Sequence, residues 1–104
     1  MALYRAVPGT LQVSPGKSSY TTEEDVILNV RCTVERKDGI GSWGTWYSDY
    51  YLYNSSNNLL KQASQTHSIA PWTSPDSAID NFAWNIGKLA AGTFSGTIVV
   101  SAHG

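Results

Sequence analysis

Hydrophobic and polar positions alternate along much of this chain. In residues 25–36, Val26, Leu28, Val30, Cys32 and Val34 share one parity, and Asn29, Arg31, Thr33 and Glu35 share the other. Only Ile27 breaks the rule. A period of two is the mark of a half-buried strand. Residues 93–102 repeat it, with Phe94, Gly96, Ile98, Val100 and Ala102 set against Ser95, Thr97 and Ser101. Residues 80–89 group Phe82, Trp84 and Ile86 against Ala83 and Asn85. A shorter run around Leu11 and Val13 predicts an opening strand, and residues 59–69 predict a weaker one.

Turn chemistry separates these runs. It is dense at residues 14–25 (SPGKSSYTTEED), 36–42 (RKDGIGS), 54–58 (NSSNN), 70–77 (APWTSPDS) and 90–93 (AAGT). Asp38 and Gly39 form a tight-turn pair, and Gly92 suits a turn between two antiparallel strands. One helical turn is predicted over residues 74–80, capped by Ser74 with Pro75 in the first helical position. Six or seven short strands at this spacing predict an all-β chain, a single antiparallel two-sheet sandwich of about seven strands.

Residues 43–53, WGTWYSDYYLY, hold two tryptophans and four tyrosines. On a strand, Trp46, Ser48, Tyr50 and Leu52 share one face, and Tyr47, Asp49, Tyr51 and Tyr53 share the other. The first set is predicted to meet Trp84 in the core, because a strand-borne Trp fills a sandwich centre well. The tyrosines of the second set then form an outward row. Such a row either stiffens a solvent-facing sheet by cross-strand packing or serves as a contact surface. Trp43 and Trp72 lie in loops rich in Gly, Ser and Pro. Both strengthen the contact-surface reading, and Trp72 equally suits a plug at the end of the sandwich. The candidate surface is therefore Tyr47, Tyr51, Tyr53, Trp43 and Trp72.

Composition narrows the chemistry. The chain has 104 residues, 41% hydrophobic and 14% charged, with a net charge of −1, so residues 1–104 are read as one domain. No basic stripe exists to grip nucleic acid or acidic lipid, and both are excluded as partners on this reading. No apolar run approaches the ~18 residues of a membrane span. The N-terminus has no signal-peptide pattern. Cys32 is the single cysteine and is predicted to be a buried core thiol. His67 and His103 stand apart from any acid or cysteine motif and are read as surface histidines. The acids lack calcium-loop spacing, and no phosphate loop or metal cluster is spelled, so no cofactor, metal or catalytic group is expected. Asn54 opens a glycosylation triplet by spelling and is read as a plain turn.

The order of features carries a resemblance. The strand in TTEEDVILNVRCTV comes first, followed by YYLYNSSNNLL and then FAWNIGKLAAGTFSGTIVVSA, whose LAAGTF corner precedes a last strand. From Val13 to Ala102 this resembles immunoglobulin-like or fibronectin-III-like sandwiches, closest in pattern to the CARDB-type modules of microbial surface or phage virion proteins. Cys32 lies where the first cysteine of antibody domains would be, without a partner in the last strands. The resemblance implies a non-catalytic module docking on a larger assembly. Its most specific form is a phage capsid decoration protein or other virion accessory, and its alternative is a carbohydrate-binding or adhesion module with Tyr and Trp platforms. The implied partners are a capsid or surface structure or a glycan, with a homo-oligomer possible. The implied location is a virion or the cell exterior.

Overall fold

The computed structural model describes residues 3–37, 45–68, 76–92 and 94–104. They form seven strands in two antiparallel sheets, and none of the described residues is helical. The long strand β3 (Ile27–Lys37) organises the first sheet. Its upper half pairs with β1 (Leu3–Ala6), its lower half with β2 (Gln12–Pro15), and its other edge with β6 (Asp76–Asn85). β1 and β2 thus share one sheet edge, broken by a jog over residues 7–11. Thr10 holds the jog: its hydroxyl donates to the Val7 carbonyl at 2.7 Å and accepts the Thr33 N–H at 3.1 Å. The second sheet has the order β5-β4-β7, with β4 (Thr45–Asn54) between β5 (Leu59–Ser68) and β7 (Gly96–His103).

β4 and β5 form a hairpin. At its turn the Asn54 side-chain carbonyl accepts the N–H groups of Ser56 and Asn58, and Asn57 takes the left-handed conformation at φ 63°. Asn tolerates that region better than most residues. Gly96 starts β7 because the backbones meet there; an added Cβ would lie 2.7 Å from the Tyr53 carbonyl oxygen.

Parity sets the core. Val30, Cys32 and Val34 of β3 meet Trp46, Tyr50 and Leu52 of β4 and Trp84 of β6. Phe82 bridges the sheets, its ring edge-on to Tyr50 at 4.8 Å and to Trp84 at 5.1 Å. The indole N–H groups of Trp46 and Trp84 are buried without a partner, so these rings contribute by area and not by hydrogen bonds. The radius of gyration is 16.1 Å and the extents are 51 × 24 × 21 Å. A compact chain of this length would have a radius near ~13 Å. Two narrow sheets give a long, thin core.

The strands expected at β2 through β7 are present, with β6 ending at Asn85 so that Ile86 lies just beyond it, and Cys32 is a buried core thiol. Three expectations are corrected. The helical turn over residues 74–80 is absent from its described part: Asp76 to Asp80 extend β6 and pair with Arg36 to Cys32. Ladder pairing overrides the local Pro-Asp preference there, while Ser74 and Pro75 lie outside the described residues. Gly92, at φ 129°, does not close a hairpin, because β6 and β7 belong to different sheets and the segment crosses between them. Phe94 is not on the inner row; it precedes β7 and is 37% exposed. The buried row of β3 continues past Val34 to Arg36, which is fully buried. β1 was not anticipated, and Asp38 and Gly39 lie outside the described residues.

Candidate interaction surface

The outer face of the β5-β4-β7 sheet follows from register. Residues directly opposite in an antiparallel pair share a face. Tyr47 lies between Thr66 and His103, Asp49 between Ser64 and Ser101, and Tyr51 between Gln62 and Val99. Tyr53 lies opposite Leu59 on one side and Thr97 on the other. Tyr47 is 36% exposed and Val99 46%, while Tyr51 and Tyr53 are half-buried. The tyrosine rings therefore lie partly against their neighbours and partly open to solvent. Their neighbours are the hydroxyls of Thr66 and Thr97, the Gln62 amide, the His103 ring and the exposed apolar side chains of Val99 and Leu59. Trp43 and Trp72 lie outside the described residues.

Asp49 anchors the upper part of this face. Ser64 Oγ donates to its Oδ1 at 2.7 Å, and His103 Nε2 lies 2.6 Å from its Oδ2. The His103 ring also stacks on Tyr47, centroids 5.3 Å apart, and its Nδ1 lies 3.2 Å from the Gly104 carbonyl oxygen. Both ring nitrogens face acceptors, which favours the protonated imidazolium. The Gly104 carbonyl, and then the Asp49 carboxylate, raise its pKa above the ordinary 6.5. His103 is thus not isolated from acids: adjacent strands bring together two residues that lie far apart in sequence.

The inner face of the same strand holds a polar cluster that the sequence reading missed. Asp80 of β6 is buried, and its Oδ2 accepts the Ser48 hydroxyl at 2.6 Å and the Tyr50 hydroxyl at 2.5 Å. His67 of β5 places Nε2 at 3.0 Å from Ser48 Oγ and 3.3 Å from Asp80 Oδ1. The Ser48 proton is committed to Asp80, so the Ser48 oxygen accepts from the His67 Nε2–H. Burial, and then the Asp80 carboxylate, drive the Tyr50 pKa far up, so this phenol stays a donor. His67 also packs on Trp46 with centroids 4.4 Å apart. It is a mostly buried clasp residue and not the surface histidine expected from sequence.

The three residue types are those of a nucleophile relay, but the geometry differs. In a relay the acid orients the imidazole through the nitrogen remote from the nucleophile. Here acid and hydroxyl face the same nitrogen, and Ser48 is fully buried. The arrangement ties the two sheets together. The available sequence signal was Ser48 and Asp80 occupying core-parity positions.

No family of known proteins, no curated protein and no solved structure matches this chain. The functional reading therefore rests on its own geometry.

Proposed function

We propose that the chain is a non-catalytic interaction module that docks on a larger protein assembly through the outer face of the β5-β4-β7 sheet. The observation that carries this reading is the row Tyr47, Tyr51 and Tyr53. It faces outward beside exposed Val99 and neutral Thr66, Gln62 and Thr97. Tyrosine offers large apolar area at low entropic cost and keeps a hydroxyl for a short polar contact. Asp49 is engaged by Ser64 and His103, so the face presents little free charge and suits a neutral protein surface. The most specific form of this reading is a virion decoration or accessory protein, in keeping with the immunoglobulin-like resemblance of the sequence features.

A second reading is glycan binding. Gln62 beside Tyr51 supports it, since a ring flanked by an amide can stack on a sugar and meet its hydroxyls. Both readings are tested with Tyr51→Ser combined with Tyr53→Ser. Co-sedimentation with purified particles from the source should be lost, with little response to salt in the parent protein. Retained co-sedimentation by the folded double variant would remove this face from the docking account. Binding on a glycan array that the same variant abolishes, without particle binding, would favour the second reading.

A further inference from the structure

We infer that the free edge of β7 is a self-association edge, and that two copies of the chain join by antiparallel β7–β7 pairing about a two-fold axis at Ile98. Exposed strand edges are normally blunted by charge, proline, bulges or cover. The other edges among the described residues carry such devices. The β1–β2 edge has Pro8, Pro15 and the jog. β5 has Lys61 and a register shift opposite Leu52 and Tyr53. β6 has the inward-pointing charged residue Asp80. From Gly96 to Ala102, β7 has no charged residue, no proline and no bulge, and four consecutive β-branched residues, Thr97 to Val100.

Apolar side chains of the described residues are left partly exposed below the upper end of the sandwich. Val13 lies opposite Val30 and so points toward the core, yet it is 44% exposed; nearby Leu11 is 38% exposed. Ile98 and Val100 of β7 are likewise only half-buried, though both pack on the core. Higher up, β1 packs against β7 and places the Tyr4 hydroxyl beside Gly104. Among the described residues no strand pairs with this edge of β7, and the stretch from Gly96 to Val100 is centred on Ile98.

That stretch is complementary to itself. A two-fold at Ile98 sets Ile98 against its copy, Thr97 against Val99, and Gly96 against Val100. Pairs of β-branched residues favour antiparallel ladders, and no like charges meet. Such a contact uses the same patch on both copies and closes at two. It would merge the two three-stranded sheets into one of six strands. Its basis is independent of the docking role of the tyrosine face.

The test is a charge exchange across the proposed axis. Thr97 and Val99 are exposed on the outer face, so both accept long side chains. Light scattering during size exclusion should show the parent passing from 11.3 kDa to twice that mass as concentration rises. Thr97→Lys with Val99→Lys sets like charges opposite twice and should weaken the dimer about tenfold. Thr97→Lys with Val99→Glu sets opposite charges there and should restore it. In the parent, amide exchange at Gly96 to Val100 should slow with concentration while β5 stays unchanged. A parent that stays monomeric, an open-ended aggregate, or a dimer that both variants affect alike would each overturn the inference. So would protection on β5 instead of β7.

Discussion

Tyr50 and Tyr51 are neighbours in the chain and opposite in circumstance. Tyr50 is fully buried, donates its hydroxyl to Asp80 at 2.5 Å and has a pKa driven upward by burial. Tyr51 sits half-buried on the outer face between Gln62 and Val99. The same contrast runs along β4. Trp46, Ser48, Tyr50 and Leu52 are sealed between the sheets, while Tyr47, Tyr51 and Tyr53 line the solvent face. A buried hydroxyl must find a partner or cost its desolvation. The inner face accordingly needs Asp80, Ser48 and His67 as a set, whereas the outer hydroxyls remain available to another molecule.

The largest effects should follow damage to the inner face. Trp84→Ala should cost about 3–5 kcal/mol in urea unfolding, the usual range for emptying a large aromatic site. Asp80→Ala should cost several kcal/mol, about 1–3 for each of the buried Ser48 and Tyr50 hydroxyls that it leaves without an acceptor. A loss below about 1 kcal/mol for Asp80→Ala would show that the clasp is not structural.

Single atoms sharpen the contrast. Tyr50→Phe removes one donor to a buried carboxylate and should cost about 1–3 kcal/mol. Tyr51→Phe should change stability by no more than about 0.5 kcal/mol, as surface substitutions generally do. Equal losses at the two positions would erase the distinction between the faces. Tyr51→Ser with Tyr53→Ser should lower the melting temperature only slightly, yet weaken docking by about 2 kcal/mol or more.

The smallest effect concerns His103. Its folded pKa is raised, so its contact with Asp49 contributes stability that is fully present below the ordinary 6.5. That contribution is lost as pH rises through the folded value. A ring titration by NMR should place the His103 midpoint above 6.5, and Asp49→Asn should bring it down. An unchanged midpoint in Asp49→Asn would assign the shift to the Gly104 carbonyl alone.

Much of this architecture was legible because parity is a strong signal. The burial of Val30, Cys32 and Val34, and the split of β4 into two faces, follow from alternation alone. The clasp was harder to see. Its members lie on three strands in two sheets, and no spacing rule links Ser48, His67 and Asp80. What the sequence did offer was polar side chains on apolar parity, a conflict that marks a buried network or a site. The four residues of β1 were too few to show a period. Residues 76–80 were misread because Pro-Asp chemistry spoke locally, while pairing with β3 decided the outcome. The link between Asp49 and His103 could be found only once the β4–β7 register was known.

β4 builds the core with one side, and under the proposed function its other side meets a partner. Photo-crosslinking tests it most directly, with p-benzoylphenylalanine at position 51 and, as control, at exposed Ile79 on the opposite sheet. In extract from the source, position 51 should capture a single protein of a repeating assembly, and position 79 should not. Equal capture at both positions, or capture from 79 alone, would contradict the account.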